Sequence, residues 1–116
     1  MQKKDKVLSM LGLAMRARKA VSGEFSVEKL VRDHRAFLVI IADDASANTK
    51  KAFRDLCAFH KVPYCFYADK DSLGHALGQQ LRASVGVSDE GFAAAIQKEL
   101  LLAGKLSMDD DPKVEV

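Results

Sequence analysis

Cysteine is scarce in this chain of 116 residues: only Cys57 and Cys65 occur. They form no CxxC pair and have no paired-histidine motif beside them, so neither a zinc site nor a disulfide framework organises the fold. Both are expected as reduced thiols, in the core or at the surface, in a reducing compartment. Long apolar runs are lacking as well. The longest, Ala36 to Ala42, has the length of a strand and falls far short of the roughly 20 residues that cross a bilayer, so no membrane contact is expected. Met1 to Lys6 is charged rather than apolar and does not read as an export signal, which makes the cytoplasm the expected location.

Motifs that would announce catalysis are also missing. Gly74 and Gly78 sit in a helical pattern without a preceding GxG turn, so no dinucleotide or phosphate-loop site is supported, and no cofactor is expected. His34, His60 and His75 are scattered along the chain and read as capping or surface residues rather than metal ligands. No serine, histidine and acid set is ordered around an elbow motif, and neither thiol has an activating neighbour in sequence. Asp43-Asp44 follows an apolar strand, as metal-binding carboxylates do in phosphate-accepting receiver domains. Such a domain needs a further aspartate at the end of a later central strand, and Val62 to Tyr67 supplies none. The pair, with Ser46, is therefore read as capping the next helix. Neither an enzyme nor a small-molecule substrate is indicated.

The chain does have the means to build one core. It is 48% apolar and 29% charged, which suits a single soluble domain. That domain is expected over residues 1–104, with 105–116 an acidic, mobile tail. Residues 4–18 carry Val7, Leu8, Leu11, Ala14 and Met15 at helical spacing. A short link at Ala20 to Ser22, readable as a strand, ends at Gly23, and a second helix fits 24–34 through Val27, Leu30 and Val31. The unbroken run in 36–42 reads as a central strand buried on both faces. A third helix over 46–60 places Phe53, Leu56, Cys57 and His60 on one side. Strand 62–67, a short helix over 71–79, a last strand within 81–87 and a fifth helix from Ser88 or Asp89 complete the alternation. Strands alternating with helices at short spacing predict an α/β fold, a three-layer α/β/α sandwich with a small mixed sheet.

Charge is divided unevenly along the chain. Residues 1–61 hold 13 Lys or Arg against 7 Asp or Glu, whereas residues 62–116 hold 5 against 9. A basic front half suits a polyanion, because each neutralised phosphate releases counterions. Arg16, Arg18 and Lys19 close the first helix; Gly23 and Glu24 open the second, and Lys29 follows. A glycine at a helix start lets a nucleic-acid backbone come close, while the free N–H groups and the helix dipole favour phosphate oxygens.

The order of segments Leu11-Gly12-Leu13-Ala14-Met15-Arg16-Ala17-Arg18-Lys19, Val21-Ser22-Gly23-Glu24, Leu38 to Ser46, Val62-Pro63-Tyr64, Leu73 to Gly78 and Ala83-Ser84-Val85 resembles the kink-turn-binding ribosomal-protein family. The resemblance covers roughly residues 5–103 and is closest to short bacterial members similar to the archaeal large-subunit kink-turn protein. It implies a four-stranded mixed sheet between helices. It also implies binding of kink-turns, which are sharply bent RNA helices with tandem sheared G·A pairs. Carried over residue by residue, Gly23 matches the family glycine and Lys29 the lysine that reaches guanines. Leu81, Arg82, Ala83 and Ser84 occupy the loop that covers an extruded nucleotide. Two departures stand out. The family's Asn-Glu pair after the glycine is here Phe25-Ser26, with Glu24 a nearby carboxylate, and Arg82 stands where apolar or proline residues are frequent.

The expected RNA-binding edge therefore comprises Arg16, Arg18, Lys19, Gly23, Glu24, Phe25 and Lys29 with Gln80, Leu81, Arg82, Ala83 and Ser84. Phe25 has two readings, packing under its helix or stacking on an unpaired base, and packing is the expectation. Lys50, Lys51 and Arg54 are expected to be solvated, away from that edge. The leading reading is a non-catalytic binder of structured RNA, plausibly ribosomal. The alternative is a protein-interaction module that kept the scaffold but lost RNA recognition.

Overall fold

The computed structural model of the chain describes residues 5–102. Along it run α1 (Lys6–Arg16), β1 (Ala20–Ser22), α2 (Glu24–Arg32), β2 (Leu38–Ile41), α3 (Ala47–His60), β3 (Tyr64–Phe66), α4 (Lys70–Ala76), β4 (Ser84–Val87) and α5 (Glu90–Leu102). Side chains cap most helix starts. Asp5 Oδ1 accepts from Leu8 N, Ser46 Oγ from Thr49 N, Asp69 Oδ1 from Ser72 N and Asp89 Oδ2 from Phe92 N. Each satisfies a backbone donor that the first helical turn leaves free.

The strands line up in the order β1-β4-β2-β3. β2 and β3 are parallel, joined through α3, while β4 is antiparallel to both β1 and β2. The last strand in sequence thus lies inside the sheet. Side chains alternate across it. Leu38, Ile40, Val85 and Val87 face α1, α4 and α5, where Leu11, Leu73, Ile96 and Leu100 close one core. Val39, Ile41 and Tyr64 face α2 and α3, where Val27, Val31, Phe53 and Cys57 close the other. This is the expected three-layer α/β/α sandwich with a four-stranded mixed sheet.

Several boundaries shift for local reasons. Residues 17–18 leave the first helix because Arg18 turns left-handed at φ 61°. The short helix stops at Ala76 instead of 79, since Gly78 adopts φ 75° and breaks the repeat. Leu81 to Ala83 form loop rather than strand. Of the three residues read as capping the helix after β2, only Ser46 does so. Asp44 Oδ1 instead accepts from Lys70 N at the start of α4, because parallel β2 and β3 deliver their following loops side by side. The extreme start of the first helix, Ala103 and the acidic tail over 105–116 lie outside the described residues.

The pairing register defines two ends of the sheet. Ser22 lies opposite Val85, Ile41 opposite Ser84, and Ile41 beside Phe66. β1, β2 and β3 therefore finish, and β4 begins, at one end, which carries Gly23. The opposite end carries the turns into β1, β2 and β3 and the exit of β4.

Candidate nucleic-acid interface

Gly23 opens α2 at φ 95° and ψ 149°, a conformation that side chains with a Cβ rarely adopt, and no side chain caps the helix behind it. Its own N–H donates to the Ser84 carbonyl at 3.2 Å, which ties the helix tip to the first residue of β4. The first-turn N–H groups of α2 are left without a side-chain partner, and a Cβ placed on Gly23 would meet nothing within 4 Å. The tip is thus open as well as polar, with the positive end of the helix dipole directed outward.

α2 buries Val27, Leu30 and Val31. Helical spacing turns Phe25 and Lys29 to the outer face, four residues apart and neighbours on that surface. Phe25 is 77% exposed, which corrects the expectation that it packs under the helix. Lys29 Nζ pairs with Asp33 at 3.0 Å, but that pair is exposed and worth only about 0.3–0.5 kcal/mol. A phosphate can therefore draw the ammonium away at little cost.

The loop before β4 stands beside this tip, braced by an arginine. Arg82 Nε donates to Ser22 Oγ at 3.1 Å, Nη1 to the Leu81 carbonyl at 3.0 Å and Nη2 to Gln79 Oε1 at 3.0 Å. The guanidinium is spent largely on holding the loop to the end of β1. Leu81, 56% exposed, is presented from the braced loop. Gly74 supports the loop from beneath: a Cβ there would collide with the Gln80 carbonyl. Ser22, Gln79 and Gly74 were not among the residues expected at the edge. A glycine inside a helical pattern was the only sequence signal for any of them.

The remaining expected residues divide. Glu24 is exposed on the first turn of α2 and Gln80 is exposed in the loop. Ala83 is half-buried and its carbonyl accepts from Ala42 N. Ser84 is fully buried, its hydroxyl without a partner among the described residues, so only its carbonyl reaches the tip. Arg18 and Lys19 are not brought to Gly23. They precede β1 while Gly23 follows it, four residues or about 13 Å away along an extended strand, and the Lys19 carbonyl accepts from Ser88 N beyond the far end of β4. Arg16 is exposed at the same far end of α1. The expected single positive edge is therefore two separate surfaces. Carboxylates share the glycine end, since Asp43, Asp44 and Asp69 follow β2 and β3 there. Lys51 is held by Asp55 and Lys50 lies over the Phe66 ring, both on α3.

Neither thiol suits reaction chemistry. Cys57 and Cys65 are free and buried in the two different cores, with the sheet between them. Burial pushes the Cys57 thiol up to about 12, and burial, with the Asp43 charge second, does the same for Cys65. Among the described residues no three His, Cys, Asp or Glu side chains are grouped to hold a metal ion, and no helix is long and apolar enough to cross a membrane.

A mixed four-stranded sheet between helices, with a glycine-opened α2 beside the loop into β4, defines the chain as a three-layer α/β/α protein. The chain belongs to the ribosomal protein L7Ae/L30e/S12e/Gadd45 family, whose model matches residues 5–97. It is 49% identical to the RNA-binding protein YlxQ of Bacillus subtilis (strain 168) over 84 residues, covering 72% of this chain and 84% of that protein. With the RNA-binding protein YlxQ of Enterococcus faecium it shares 35% identity over 98 residues, 84% of this chain and 93% of the relative. A solved Bacillus halodurans protein described as being of unknown function superposes at a TM-score of 0.80 with 37% identity, covering 84% of this chain and 98% of that one. The Giardia lamblia 15.5kD RNA binding protein has a TM-score of 0.70 at 23% identity, covering 81% and 87% of the two chains, a likeness of fold alone.

Proposed function

We propose that this chain is a non-catalytic RNA-binding protein that grips a structured, kink-turn-like RNA, of ribosomal origin, at the end of the sheet carrying Gly23. The family and the RNA-binding proteins that resemble the chain support a binding role without catalysis and leave the protein-interaction alternative unfavoured. One observation carries the choice of surface: the open, uncapped start of α2 held against the Arg82-braced loop. Helix N–H groups there donate to electronegative base edges or phosphate oxygens. Phe25 offers an aromatic face to an unpaired base, and Leu81 an apolar cover for an extruded one. Lys29 supplies a cation once it leaves Asp33. Phe25 cannot read a base edge as asparagine does, so recognition on this surface rests on RNA shape and stacking. A cytoplasmic location is part of the same reading.

The test is a mobility-shift titration with a kink-turn RNA and with a control whose sheared G·A pairs are replaced by Watson–Crick pairs. The kink-turn should bind at least about tenfold more tightly, a difference of roughly 1.4 kcal/mol. Lys29→Glu should weaken binding and flatten its salt dependence by about one unit of slope. Equal affinity for both RNAs rejects kink-turn preference, and an unchanged titration with Lys29→Glu rejects the surface.

A further inference from the structure

The end of the sheet opposite Gly23 carries its own constellation. α2 and α3 finish there side by side. The His60 ring lies 5.4 Å from that of His34 and 5.0 Å from that of Phe59, edge-on to both. Phe59 is 80% exposed, so the phenyl ring is presented to solvent rather than packed. The residue after each histidine is a cation, Arg35 and Lys61. Both are exposed and neither has an ion pair among the described residues. The chain leaves both helices through a left-handed residue, His34 at φ 60° and Lys61 at φ 59°. Glycine is the unstrained choice at such positions. Here both hold large side chains instead, and these belong to the aromatic and cationic patch.

Electrostatics favours an anion despite the two helix C-termini. Each contributes about half a negative charge, whereas Arg35 and Lys61 each contribute a full positive one. The nearest carboxylate in sequence, Asp33, is engaged by Lys29 while the Gly23 end is free of RNA, and it is one charge against two when Lys29 is drawn away. An exposed ring beside unpaired cations matches the way single strands are bound. Base faces stack on the aromatic whatever their sequence, and phosphates meet the cations. A duplex would keep its bases from Phe59.

We propose that Phe59, His60, Arg35 and Lys61 form a second RNA-contact surface, which binds an unpaired segment. It goes beyond the grip at Gly23 and does not depend on it.

The test uses the full chain and a fluorescent oligouridylate of about 10 nucleotides, followed by anisotropy at low salt. A blunt-ended kink-turn RNA, titrated separately, reports the Gly23 end. Phe59→Ala should weaken oligouridylate binding about tenfold or more, and Phe59→Trp should retain it. Arg35→Gln combined with Lys61→Asn, which keeps a residue tolerant of the left-handed turn, should lower the salt slope by about 1.4. All three should leave the kink-turn titration and the thermal melt unchanged. Oligouridylate affinity that is undetectable in the wild type, or equal in wild type and Phe59→Ala, overturns the proposal. So does oligoglutamate binding that matches the oligouridylate and falls equally with Phe59→Ala, since the surface then takes acidic chains in general. A wild type that fails on the kink-turn but passes these tests would sink the Gly23 reading and leave this one standing.

Discussion

On the proposed surface, Gly23 links backbone geometry to recognition in a single residue. Its φ of 95° and ψ of 149° lie in a region essentially reserved for glycine, although the space around it is empty. Gly23→Ala should therefore cost about 1–3 kcal/mol through backbone strain rather than through a clash. Urea denaturation should register that loss, and a mobility shift should show weaker RNA binding as the tip relaxes. A variant as stable as wild type would show that the conformation carries no strain. Gly23 was legible in the sequence as the opener of α2, because it stands between a short strand and an amphipathic helix. Phe25 was misjudged, because its apolar character argued for burial. Val27, Leu30 and Val31 had already filled the inner face of α2, and the helical period left residue 25 outside.

At the level of elements, the loop of the proposed surface depends on α4. Gly74 admits the loop at contact distance, with the Gln80 carbonyl carbon only 2.6 Å from where a Cβ would stand. Gly74→Ala must push the loop outward, loosening the Arg82 bonds to Ser22 and Gln79. Overpacking of this kind costs about 1–3 kcal/mol, visible as a lower urea midpoint. Weaker kink-turn binding should accompany it, although the substituted residue is buried and touches no RNA. Retained affinity with lowered stability would separate the loop from recognition. Helices and strands were legible in the sequence from apolar period and capping residues, whereas the short helix was drawn three residues too long. Leu77 continued its apolar stripe while Gly78 ended its backbone, and periodicity sees only the first of these.

Across the whole molecule the sheet separates two cores, each with one buried thiol. The ordinary thiol value of 9.0 rises to about 12 for Cys57 on folding, through loss of solvent around the sulfur. A group raised in this way adds stability that is fully present below pH 9.0 and is lost as pH climbs to about 12. The unfolding midpoint should therefore fall across that interval, and less steeply in Cys57→Ala once its own packing loss is subtracted. An aromatic disulfide reagent at pH 8 should react slowly with the native protein and rapidly in urea. Fast native labelling would contradict the burial of both thiols.

Charge shows most clearly what a linear reading leaves open. The basic front half was plain in composition, but the chain crosses from one end of the sheet to the other within β1. Arg18 and Lys19 therefore stand apart from Gly23. Likewise, nothing in the spacing of His34 and His60 announced that their rings would meet. By itself the sequence determined the alternation of elements, the buried central strand, the glycine-opened helix and the family resemblance, because these depend on neighbours within a few positions. Only the tertiary structure decided the strand order, the bracing of the loop by Arg82 and the division of cations between two ends. Those follow from which strands pair and in which direction, a choice made by contacts between residues far apart in the chain.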